Sequence, residues 1–557
     1  MSYHHKMLAV LVFLALSSAV SSAPLQPAAD GAVTVRTDAG LLRGHAATSI
    51  WNRTYYSFQA VPYAQPPVGE LRFKSPRQVK PWTGTRDATK QGPYCPQGIM
   101  NYTTAKMSED CLYLNVYVPQ VAPSHQPKAG LSVLVWIHGG GFVAGSGIRD
   151  LYGPDNLMNH TAILVTLNYR LGVLGYMSME HREMTSNAGM KDQVAALRWV
   201  RRNIAQFGGN PDDVTVFGES AGGMSVELLL LTSMTAGLFH RAISESGSAV
   251  TIGTNANYNG TQAAFQLAEV LGHNASSADD VVKFLRSVSV EDVLKAQTLA
   301  SSHTTGITLS TFPTIDAKIQ EGSEVFLADV PEKIIRAGKS MPIPYISGVN
   351  SKEMKMMETG LTQASLDNYN NNPELLIPSG LNIKQGTNES LELGAKIKSF
   401  YFGNKSISYS TLSQLVDVLT DNFMIYSVHR SSMLHINYGS SPFYSYLFTY
   451  DGTLRIQLGN YTVKGPGHAD DMAYLFFISY VPYSPNHDDI EVIHHFTNMW
   501  VDFATSGNPS MHESVKWTPA TKANHTYLQI DVDLSLRTDM LKERMAFWDQ
   551  VYETHGK

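Results

Sequence analysis

The sequence predicts an α/β fold: a large, mostly parallel sheet with helices on both faces and a helical insertion over one edge. Three observations carry that reading. LSVLVWIH (Leu131 to His138), TAILVTLNYR (Thr161 to Arg170) and DVTVFG (Asp213 to Gly218) are apolar runs of strand length. None alternates with polar residues, which is the pattern of a strand covered on both sides. Between the last two, Met190, Val194, Leu197, Val200 and Ile204 recur at helical spacing, so an amphipathic helix joins neighbouring strands.

In chain order, Lys6 and two histidines precede an apolar stretch from Met7 to Leu16. The small residues Ser17 to Ala23 and then Pro24 follow. This predicts a secretory signal peptide over residues 1–23, since the apolar centre is too short to span a bilayer. Residues 24–557 are expected to form a single α/β domain. After a Pro/Ala-rich lead, the region to about Tyr117 reads as short strands between Gly/Pro turns. Beyond the three buried strands, PYISGV (Pro344 to Val349) and FYSYLFTY (Phe443 to Tyr450) are further strand candidates. The more polar stretch between them, 351–442, is the expected insertion over the sheet's C-terminal edge.

The 557 residues are 43% apolar and 16% charged, which excludes a disordered chain. A net charge of −6 with no long basic run argues against nucleic acid or an anionic membrane as partner. No lipid-anchor signal is expected at the C-terminus. Only Cys95 and Cys111 are present, with fifteen residues between them; they could pair in an oxidising compartment or stay reduced and buried. No cysteine remains for an interchain disulfide. Sequons begin at Asn52, Asn101, Asn159, Asn259, Asn274, Asn388, Asn404, Asn460 and Asn524. Average composition gives about four in this length, so the excess suits an exported glycoprotein.

The chemistry starts at Gly218-Glu219-Ser220-Ala221-Gly222. Placed between a buried strand and a helix, this Gly-x-Ser-x-Gly turns sharply and lifts the Ser220 hydroxyl above the sheet edge. His138-Gly139-Gly140-Gly141-Phe142 closes the Leu131 strand. The N–H groups of Gly140, Gly141 and Ala221 are expected to form an oxyanion hole. A serine needs a base, and the base needs an orienting acid. Of 19 histidines, His468, in Gly465-Pro466-Gly467-His468, is the candidate base because its glycine-rich loop follows a buried strand. Glu353 lies just past the strand ending at Asn350 and is the candidate acid. The order Ser220, Glu353, His468 is that of α/β-hydrolases. No residue cluster has the spacing of a metal site, and no cofactor is called for.

Long segments resemble the type-B carboxylesterases, the family that includes the cholinesterases. FQAVPYAQPPVGELRF (Phe58 to Phe73), SEDCLYLNVYVP (Ser108 to Pro119) and FGGNPDDVTVFGESAG (Phe207 to Gly222) carry the likeness. It runs over essentially the whole mature chain. The resemblance implies an α/β-hydrolase fold and an enzyme that hydrolyses small carboxylic esters; with aromatics at 10%, an aromatic-lined pocket for apolar esters is expected. The resemblance also implies the triad Ser220, Glu353 and His468, the oxyanion hole named above, a Cys95–Cys111 disulfide, and structural ion pairs Arg72–Glu109 and Arg170–Asp192. A binding or adhesion protein on the same scaffold is the rival reading, but such members have typically lost a triad residue.

Departures narrow the expectation. Met354 replaces the glycine that usually follows the acid. Cholinesterases hold a quaternary ammonium on a tryptophan where this chain has Asn101, which disfavours a cholinesterase. Juvenile hormone esterases typically have Gln before the serine, where Glu219 stands here. A general carboxylesterase is therefore expected, with a juvenile-hormone-type or other specialised ester hydrolase, or a slow scavenger of reactive esters, as the alternatives. Ile307 and Leu309, placed where cholinesterases line the acyl pocket with aromatics, predict tolerance of acyl groups larger than acetyl.

Overall fold

The computed structural model describes residues 25, 27–98, 107–122, 124, 127–179, 181–250, 259–301, 311–316, 324–457 and 459–556. The expected signal peptide, Asn101, Ile307 and Leu309 lie outside these residues. Thirteen strands form one mixed sheet. The first five are β1 (Ala32–Arg36), β2 (Leu41–Thr48), β3 (Thr54–Pro62), β4 (Thr85–Asp87) and β5 (Tyr113–Pro119). Next come β6 (Leu131–Ile137), β7 (Ala162–Leu167), β8 (Gly209–Glu219), β9 (Arg241–Glu245) and β10 (Tyr345–Asn350). The last are β11 (Phe443–Phe448), β12 (Thr526–Ile530) and β13 (Ser535–Thr538). The order across the sheet is β1-β2-β3-β5-β7-β6-β8-β9-β10-β11-β12-β13, with β4 beside β2. From β7 to β12 every pairing is parallel. β1, β2, β3, β5 and β7 are joined antiparallel, whereas β4 runs parallel to β2.

The apolar runs are continuous because both faces are covered. Along β6, Val133, Val135 and Ile137 enter one core with Val194, Leu197 and Val226. Leu134 and Trp136 enter the other, with Phe217, Phe496 and Trp500. The first face is packed by α1 (Ala188–Asn203) and α2 (Ala221–Leu230), the second by a helix over His487–Ser506. The strand candidates of the sequence are found as β6, β7, β8, β10 and β11. The stretch 353–438 is largely helical, as expected, but it has a core of its own. Leu393, Ile397, Leu415 and Val416 pack with Met545, Trp548 and Val551 of the C-terminal helix.

Both implied ion pairs are present. Arg72 grips Glu109 through Nε at 2.7 Å and Nη2 at 2.5 Å. Arg170 Nε and Nη2 each meet Asp192 at 2.7 Å. Asp192 is fully buried on α1, where burial pushes its carboxyl up and Arg170 opposes that shift. Removing one partner of such a pair strands the other charge. Arg170→Ala is expected to lose about 3–5 kcal/mol of stability, read from the urea midpoint, whereas Arg170→Met with Asp192→Leu recovers most of it. A loss below about 1 kcal/mol in the single variant would contradict this.

Candidate active site

Ser220 links β8 to α2 with φ 57° and ψ −122°, a conformation that costs a non-glycine residue about 1–3 kcal/mol. The neighbours enforce it. The Ser220 N–H donates to the Glu245 carbonyl on β9 at 2.8 Å. A Cβ on Gly222 would sit 2.0 Å from the Ile137 carbonyl oxygen, and one on Gly218 2.5 Å from the same atom. Only glycines let the elbow press so closely on the end of β6. The serine hydroxyl is thereby held at the C-terminal edge of the parallel strands, at the N-terminus of α2.

The three residues picked from the sequence meet there. His468 Nε2 lies 2.9 Å from Ser220 Oγ, and Nδ1 lies 2.7 Å from Glu353 Oε2. The His468 N–H also donates to the Glu353 carbonyl at 3.1 Å, tying the two loops together by backbone as well. Glu353 is fully buried. Its Oε1 accepts from Ser246 Oγ at 2.6 Å and from the Asn350 N–H at 2.7 Å. Ser246 follows β9 in a SerGluSerGlySer run; the sequence reading passed over it. Met354 is accommodated because its φ is −93°, which needs no glycine. Its N–H donates to Thr420 Oγ1 at 3.0 Å.

The glycine run passes directly over the elbow: a Cβ on Gly139 would lie 3.0 Å from Ser220 Cβ. Gly140 and Gly141 have φ of 105° and 60°. Among the described residues no acceptor meets the N–H groups of Gly140, Gly141 or Ala221. His138, buried beneath the run, stacks on Tyr169 with 4.4 Å between ring centroids. The Tyr169 hydroxyl donates to the His138 carbonyl at 2.9 Å. Burial pushes the His138 imidazole down to about 4, so it stays neutral and holds the run in place.

The sequence reading missed the acidity of the surroundings. Glu219 Oε1 lies 3.1 Å from His468 Nε2, and burial pushes the Glu219 carboxyl up to about 7 despite the nearby imidazole. For His468, burial works against the charged form, but Glu219 and Glu353 outweigh it and raise the imidazole to about 10. Further back, burial raises Glu245 and Asp471 well above the usual carboxylate range. Glu245 accepts from Trp500 Nε1 at 2.6 Å and Asp471 from Asn350 Nδ2 at 2.9 Å.

Glu219→Gln removes an anion that stabilises the charged imidazole, and so lowers the His468 pKa. A base must be neutral, so the acidic limb of kcat/KM is expected to move to lower pH by about one unit. An unmoved limb, or one moved upward, would contradict this placement of Glu219.

Around the site, the half-exposed Phe423 turns its ring edge to His468 at 6.4 Å between centroids. Phe142 packs on Tyr176 and Phe312. Cys95 and Cys111 form a disulfide. Of the described sequon asparagines, Asn159 is half-buried and the other seven are exposed.

A serine on a strand-to-helix elbow of such a sheet, with an imidazole at its hydroxyl, places the molecule among the serine hydrolases of α/β-hydrolase fold. The chain belongs to the Carboxylesterase family, whose model matches residues 31–548. It is 32% identical over 519 residues to juvenile hormone esterase of Heliothis virescens, covering 91% of each chain. It is 34% identical over 506 residues to esterase E4 of Myzus persicae, covering 88% of this chain and 89% of that one. The crystal structure of juvenile hormone esterase from Manduca sexta, with OTFP covalently attached, matches with a TM-score of 0.81 and 29% identity. That match covers 94% of this chain and 100% of the other. The protein is a serine-dependent carboxylic ester hydrolase acting on small-molecule esters. No helix among the described residues is long and apolar enough to cross a membrane.

Proposed function

We propose that Ser220, His468 and Glu353 are the catalytic triad of a secreted general carboxylesterase whose substrates are apolar esters. The hydrogen-bonded chain from Ser220 Oγ through His468 to buried Glu353 supports this reading above all. His468 takes the Ser220 proton as Oγ attacks the ester carbonyl, and Glu353 orients and stabilises the resulting imidazolium. The N–H groups of Gly140, Gly141 and Ala221 receive the carbonyl oxygen as it gains charge. The alcohol leaves with a proton from His468, and water then releases the acid from Ser220 by the same steps.

Removal of residues 1–23 on export is part of the proposal, as is glycosylation at some of the exposed sequons. The disulfide and the excess of sequons support it. Phe423 beside the imidazole supports an apolar substrate. The test is hydrolysis of p-nitrophenyl esters of increasing acyl length by the secreted protein. Butyrate is expected to exceed acetate in kcat/KM by about tenfold, as two buried methylenes at about 0.8 kcal/mol each would give. A steep preference for acetate would contradict the substrate class. A single stoichiometric burst without turnover would point to a scavenger of reactive esters.

A further inference from the structure

Helix α3 (Tyr426–Tyr438), helix α4 (Lys542–His555) and strands β10 to β12 border a half-open cavity of about 230 Å³. None of Ser220, His468 or Glu353 lines it. Its apolar wall comes from Val349, Ile425, Val428, Met433, Ile436 and Met545. Met433, Met540 and Met545 can reshape to fit an occupant. Polar side chains, among them His429, His525, Asp539, Lys542 and Asp549, line the rest. The half-buried His429 imidazole has no hydrogen-bond partner among the described residues, and it faces the cavity.

Burial lowers the His429 pKa, with Asp549 opposing and His525 reinforcing the shift. The ring is thus neutral, with one donor and one acceptor nitrogen. A hydroxyl answers either nitrogen. A carboxylate does not fit, because Asp539 and Asp549 line the same cavity. The one lysine there, Lys542, already sits 3.3 Å from Asp539.

We propose that this cavity binds a small apolar alcohol, the class of product that ester hydrolysis releases, and that its occupancy is felt at the active site. The space suits roughly eight to twelve non-hydrogen atoms. Two connections run from its wall to the triad. Ile425 closes a π-helical turn, Asp421–Ile425, whose Phe423 meets the His468 ring; such turns are frequent at functional sites. Val349 precedes Asn350, whose N–H donates to Glu353. Binding stands on the cavity alone, whereas the effect on rate rests on the triad reading.

Crystals soaked in 4-bromobenzyl alcohol test the site directly. A bromine anomalous peak is expected in the cavity, with the hydroxyl in hydrogen-bond reach of His429. In solution, enzyme blocked at the active site with paraoxon should titrate with one saturable site. Ala546→Trp or Met433→Phe, which fill the cavity, should weaken that site at least about tenfold. His429→Phe should weaken the alcohol about threefold or more while leaving 4-bromotoluene unchanged. In unblocked enzyme, saturating alcohol should change kcat/KM for p-nitrophenyl acetate at least about twofold, and the extra change should vanish in Ala546→Trp. Bromine found only at the active site or only at crystal concentrations, or titrations unchanged in both filling variants, would overturn the site. A rate effect that persists in Ala546→Trp, or no rate effect with the cavity occupied, would overturn the coupling.

Discussion

Ser220→Ala is expected to lower kcat about 10⁵–10⁶-fold with the fold intact. The variant keeps Cβ in place, and the elbow is held by the Ser220 N–H bond to Glu245 and by the glycines packed on Ile137, not by the hydroxyl. What disappears is the atom that forms the acyl bond. The imidazole and the free N–H groups remain, so a residual rate above the uncatalysed one should persist. Because the three side chains act as a unit, adding His468→Ala to the serine variant should cost little more. Circular dichroism and kcat for p-nitrophenyl butyrate check both statements. Retention of more than about 1% of wild-type kcat would contradict the nucleophile assignment.

Glu353→Gln carries the second large effect, a fall in kcat of about 10⁴, or about 5.5 kcal/mol in the barrier. The carboxylate uses both oxygens, Oε1 toward Ser246 and the Asn350 N–H, Oε2 toward His468 Nδ1. A glutamine amide cannot serve both sides. With its oxygen toward Ser246 and Asn350, its NH₂ faces Nδ1 and selects the tautomer protonated on Nε2, which cannot accept the serine proton. Turned round, the NH₂ opposes the Asn350 N–H. The loss should fall on kcat, with KM little changed, since Glu353 is buried behind the imidazole and away from bound ester. A variant within about tenfold of wild type would remove Glu353 from the triad.

The parallel half of the sheet was legible because strands covered on both faces must be mainly apolar, as β6, β7 and the second half of β8, Val214 to Gly218, are. β9, Arg241–Glu245, escaped notice because its RAISE sequence puts charges at both ends of a short run. Yet Arg241 is bound to the carboxylate of Asp213 and to the Ala504 carbonyl, and Glu245 accepts from Trp500. The stretch 351–442 looked polar because its apolar residues are spread over short helices that meet only when the C-terminal helix folds onto them. At the site, Ser220, His468, Glu353 and the glycine run could be picked out from their places at strand ends, and the first three meet in the fold. The supporting groups were not. Ser246 reaches Glu353, and Asp471 reaches Asn350, through contacts more than a hundred residues apart in the chain, and nothing local marks such a partner. Glu219 was visible as a neighbour of the serine, but its approach to His468 depends on the backbone conformation at the elbow.

The central claim, that Ser220 activated by His468 carries the acyl group, is tested most directly by trapping. The enzyme would be treated with paraoxon, digested and examined by peptide mass spectrometry. The account predicts one diethylphosphoryl group on Ser220, loss of activity in step with labelling, and no label in Ser220→Ala. Labelling of another residue, or ester turnover that survives in Ser220→Ala, would contradict it.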